Sequence, residues 1–74
     1  SSEMMSEASI GTDNGVPEAE AMIANLARGH EAVARAARDG IEVATKAGDE
    51  VTADLMTQRA TIADKTAWML RSSL

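Results

Sequence analysis

The sequence predicts an all-α protein, a two-helix antiparallel hairpin that forms half of a four-helix bundle. Three observations carry this. Two long stretches repeat apolar residues at three- and four-residue steps, as amphipathic helices do. A glycine–aspartate pair, Gly48 and Asp49, separates them and leaves room for only the shortest connection. Both apolar stripes are wider than one neighbouring helix can cover, so at least two further helices must come from elsewhere.

Residues 1–16 are polar and glycine-containing, with Thr12 to Gly15 (TDNG) as a strong turn signal. They read as a connector, with a short amphipathic turn around Met4, Met5 and Ala8 as its only packing feature. The hairpin occupies residues 17–74. Pro17 suits the first turn of a helix, and Glu18 and Glu20 suit the positive end of its dipole. From 17 to 47, Met22, Leu26, Val33, Ala37, Ala44 and Ala47 form one stripe, flanked by Ile23, His30 and Ile41. Glu31, Arg35, Arg38, Asp39, Glu42 and Lys46 form the opposite, solvated face. Within it, Glu31–Arg35 and Glu42–Lys46 are i,i+4 pairs in the favourable order. Gly29 and Gly40 lie inside this helix and read as points of close helix–helix approach, with a kink as the alternative.

Gly48 is placed to end the first helix in a left-handed conformation, and Asp49 to cap the second. From 50 to 72, Val51, Leu55, Ile62 and Met69 make a stripe with Met56, Ala63 and Leu70 beside it. The spacing of Leu55, Ile62 and Met69 is a heptad, which suits shallow antiparallel packing.

Composition explains why two helices need company. The chain has 74 residues, no Cys, Phe or Tyr, one Trp, and an apolar fraction of 45% that is largely alanine. A core of that size and kind is marginal, so packing on another chain or oligomerisation supplies the rest. No apolar run approaches the ~18 residues of a membrane span. The N-terminus has no signal-peptide pattern, and without a Met at position 1 the chain reads as a processed chain or a piece of a longer one. The net charge of −5 is uneven: residues 1–27 hold five acids and no Lys or Arg, and 28–74 balance seven against seven. No basic stripe for nucleic acid is present. The lack of cysteine suits a reducing compartment.

Little chemistry converges. There is no nucleophile set and no phosphate loop, and His30 has Ala27 rather than Glu three residues before it, so it lacks a bundle metal motif. His30 reads as a histidine at the helix–helix seam, and Met22, Met56 and Met69 as core packing. The carboxylates Asp49, Glu50 and Asp54 remain. Asp49 caps and Glu50 favours the first turn, but Asp54 is not needed for capping. Repeated around an axis, these acids would line a cation pore.

Gly48 to Leu55 (GDEVTADL), Asp64 to Leu70 (DKTAWML) and the terminal Leu74 resemble the last helix of the Dps family of ferritin-like mini-ferritins. Met22 to Gly48 resembles the family's third helix, and residues 1–16 its crossover connection. The resemblance implies a ferritin-like four-helix bundle assembled into a hollow dodecameric shell in the cytoplasm, protecting against oxidative damage. Such shells oxidise and store iron, with DNA as a partner of some members. It implies that Asp49, Asp54 and Glu50 lie at an acidic cation pore and that Trp68 is buried packing. The family's ferroxidase ligands lie on two helices that this chain does not contain. On that reading the chain is the C-terminal half of a subunit, partnered by the N-terminal half. The alternative is a stand-alone hairpin that serves as an interaction or oligomerisation module without catalysis.

Overall fold

The computed structural model describes residues 15–74 with their side chains and, before them, the backbone of the first helix. The connector expected over 1–16 and the turn around Met4, Met5 and Ala8 lie outside the fully described residues, save Gly15 and Val16. Two helices make up the fold, α1 (Ser2–Lys46) and α2 (Glu50–Ser72). They pack side by side as an antiparallel hairpin. α1 begins upstream of Pro17, so the proline sits inside it rather than in its first turn. The missing N–H removes one bond from the helical ladder there.

The turn is built by three residues. Gly48 takes φ +76°, where a side chain would be strained. The Gly48 N–H then donates to the Thr45 carbonyl at 3.0 Å, and the Asp49 N–H to the Ala44 carbonyl at 2.8 Å. This paired pattern satisfies two of the orphan carbonyls at the end of α1. Asp49 also caps α2: its side chain accepts the Thr52 N–H. One residue closes the first helix and opens the second.

The seam between the helices consists of alanine. Among the described residues, Ala27, Ala34, Ala37 and Ala44 on α1 and Ala60, Ala63 and Ala67 on α2 are the buried ones, each at most 7% exposed. Small side chains let the backbones approach closely, and Gly40 helps. A Cβ at Gly40 would lie 3.3 Å from the Met56 sulfur, whereas one at Gly29 would meet nothing. The close-approach expectation holds for Gly40 and fails for Gly29 within this chain.

Most of the larger apolar residues stay outside the seam, Met56 against Gly40 being the clearest exception. Met22, Leu26, Val33, Val51, Leu55, Ile62 and Met69 are all about half exposed or more. Their place follows from two contacts. Gly40 touches Met56, so the row Met22, Leu26, Val33, Gly40, at steps of four and seven, runs along the Met56 side of the seam. The ion pairs mark the other side. Arg71 grips Glu31 through two bonds, Nε at 2.7 Å and Nη2 at 2.9 Å, and Arg38 Nη1 meets Asp64 at 2.8 Å. The hairpin thus has one apolar side and one charged side.

That arrangement corrects two details and bears out a third. Glu31 pairs across the seam with Arg71, not along α1 with Arg35, because the antiparallel register brings a bidentate partner opposite it. The Glu42–Lys46 pair forms as expected, at 3.7 Å. Trp68 is 70% exposed rather than buried. It stands four residues from Asp64 and three from Arg71, and so on the charged side.

Candidate cation site at the helical turn

The three acids of the turn are positioned for different tasks. Asp49 is held by Thr52 alone: one carboxylate oxygen accepts the Thr52 N–H at 3.1 Å, the other its hydroxyl at 2.7 Å. The Thr52 hydroxyl bond, then the Thr52 N–H bond, lower the Asp49 pKa below its ordinary value. Thr52 is not the Glu or Gln that completes a capping box. Its hydroxyl instead closes the motif from the other side, as a second donor to the cap.

Glu50 and Asp54 are freer. Together with Ile41, Thr45, Gly48 and Thr57 they line an open concavity of about 470 Å³ between the end of α1 and the first turns of α2. Asp54 accepts only a long bond from Gln58 Nε2, at 3.4 Å. The Thr57 hydroxyl is turned to its own helix, donating to the Ala53 carbonyl at 2.8 Å. Carboxylates with spare lone pairs in an open concavity are suited to a hydrated cation in passage rather than to tight coordination.

The geometry does not gather these acids into a chelating group. Among the described residues, no three of His, Cys, Asp and Glu could jointly hold a metal ion. His30, half-buried at the seam's edge, lines a separate apolar concavity with Met22, Leu26, Gly29 and Val33. It makes no side-chain hydrogen bond with a described residue.

A family model for the ferritin-like domain matches residues 3–74. The chain belongs to the ferritin-like family. Members of that family generally bind iron and are generally oligomeric, and the all-helical hairpin with one uncovered apolar side is consistent with half of their bundle. No curated protein and no solved structure matches the chain significantly. Among the described residues, no helix is long and apolar enough to cross a membrane.

Proposed function

We propose that this hairpin is the C-terminal half of a Dps-like subunit in a cytoplasmic, dodecameric shell that oxidises and stores iron. The observation that carries this is the division of the hairpin into a charged side and a continuous apolar side within a ferritin-like sequence. A second helix pair, the N-terminal half of the subunit, covers the apolar side and brings the oxidation ligands. α1 and α2 supply two staves, and residues 1–16 the connection to the other half.

Iron is substrate and cargo in this reading. Asp54 and Glu50, repeated around an assembly axis, form the acidic route by which ferrous iron enters. Asp49 caps α2 first and adds its charge to the rim second. DNA protection would rest on sequestering iron, because the balanced charge of residues 28–74 gives no strong site for the phosphate backbone.

The test is iron uptake by the assembled protein, with peroxide as oxidant, at low ionic strength. In the double variant D49N/D54N, uptake should slow while the assembly keeps its mass, since asparagine still caps a helix. Uptake at the native rate would remove the pore. A protein that neither assembles nor takes up iron would remove the shell.

A further inference from the structure

The apolar side carries one charge. On α2, Arg59 lies within a single run of heptad steps, Thr52, Arg59 and Thr66, between the row Leu55–Ile62–Met69 and the row Met56–Ala63–Leu70. Its four nearest neighbours on the helix surface, at three and four residues, are Leu55, Met56, Ile62 and Ala63. It lines a mainly apolar concavity of about 400 Å³ with Leu55, Met56 and Ile62. Among the described residues it has no ion-pair partner, whereas Arg38 and Arg71 on the other side are both paired across the seam.

Resting on the bundle reading above, we propose that the element covering this side is a helix pair of different sequence that presents a carboxylate to Arg59. Covering the face removes the guanidinium from water, which is strongly unfavourable unless a hydrogen-bonding anion meets it. Arg59 stands nine residues into α2, about 13 Å from its start at 1.5 Å per residue, and farther from its end. It therefore cannot reach water past either end of the helix.

A second copy of this chain does not fit. From Met22 to Thr45 on α1 and from Thr52 to Leu70 on α2, no Asp or Glu occupies a row of the apolar side; Glu18, four residues before Met22, is the nearest described acid to it. Glu31 and Asp64 are engaged on the charged side, Glu42 with Lys46, and Glu50 and Asp54 open at the turn. Two such faces centred on Arg59 would bury two arginines with no acceptor beside them. Charge complementarity thus selects a partner helix that is apolar except for one inward Asp or Glu.

The experiment is zero-length carbodiimide cross-linking of the native assembly carrying R59K, followed by peptide mapping. No acid stands three or four residues from position 59, so a link within α2 is excluded. A link from position 59 to an Asp or Glu outside this 74-residue sequence is expected. A link to an acid of a second copy, or none in an intact assembly, would overturn the proposal while leaving the bundle standing. If the native protein forms no assembly, the bundle reading falls with it.

A second variant guards against loss of reactivity. R59M should weaken assembly about a hundredfold near pH 7 and regain it toward about pH 5, as the stranded carboxylate takes up a proton. The same acidification should weaken the native assembly. Parallel pH profiles for the two would also overturn the pairing.

Discussion

The alanine seam and the apolar side of this hairpin are built from the same two helices, yet only the seam is closed. Seven alanines at the seam are almost fully buried, while Leu55, Ile62, Met69 and Val33 beside them stay more than half exposed. Small residues fix the distance between the two helices but remove little apolar surface from water, about 0.8 kcal/mol per methylene-sized group. Ordering each residue's backbone costs about 1–2 kcal/mol. The seam sets geometry, and the large residues hold the burial energy for a second layer.

The largest expected effect separates these regions. Leu55→Ala or Ile62→Ala should cost about 2–5 kcal/mol in the assembled protein, as for buried core residues. In the isolated chain each should cost under about 1 kcal/mol. Urea unfolding of both forms measures the difference. Equal losses would mean that the apolar side gains no cover.

A change in the seam should act differently. Ala34 is fully buried, so Ala34→Leu overpacks the closest approach and should cost about 1–3 kcal/mol in either form. Thermal unfolding of the isolated chain suffices to detect it. On the charged side, a double-mutant cycle on Arg38 and Asp64, both about half exposed, should return a coupling of only about 0.2–1 kcal/mol.

The smallest effect concerns acid. Asp49 and Glu31 have pKa values below the ordinary 3.8 and 4.5, held down mainly by the Thr52 hydroxyl and by the Arg71 guanidinium. Depressed carboxylates contribute stability that is present above their unfolded values and lost as pH falls through their folded ones. Helicity at α2 should therefore decline with acid below about pH 4.5. D49N should leave neutral helicity unchanged and flatten that decline, read by circular dichroism.

The helices, their antiparallel turn and the cap were legible because each rests on local chemistry: a three- and four-residue period, the Gly48–Asp49 pair, the acids of the first turn. The seam was harder to read. Ala27, Ala34, Ala60 and Ala67 are weakly hydrophobic, and the large residues drew the stripe toward the side that two helices leave open. The heptad repetition of alanine was the available signal. The cross-seam pairs also had one: moving seven residues along α1, from Glu31 to Arg38, matches seven back along α2, from Arg71 to Asp64. Arg59 escaped notice because a lone charge in an apolar row shows its meaning only once the row is known to lie beside the seam. The role of Asp49, Glu50 and Asp54 beyond the turn depends on copies arranged around an axis, which no single chain encodes locally.

A second helix pair covering the apolar side is what separates half a bundle from an independent hairpin. Native mass spectrometry, repeated under denaturing conditions, tests it most directly. A large assembly that releases this chain together with a second polypeptide, or as part of a longer one, is expected. A monomer, or a small oligomer containing only the 74-residue chain, would contradict it and leave an independent helical hairpin in its place.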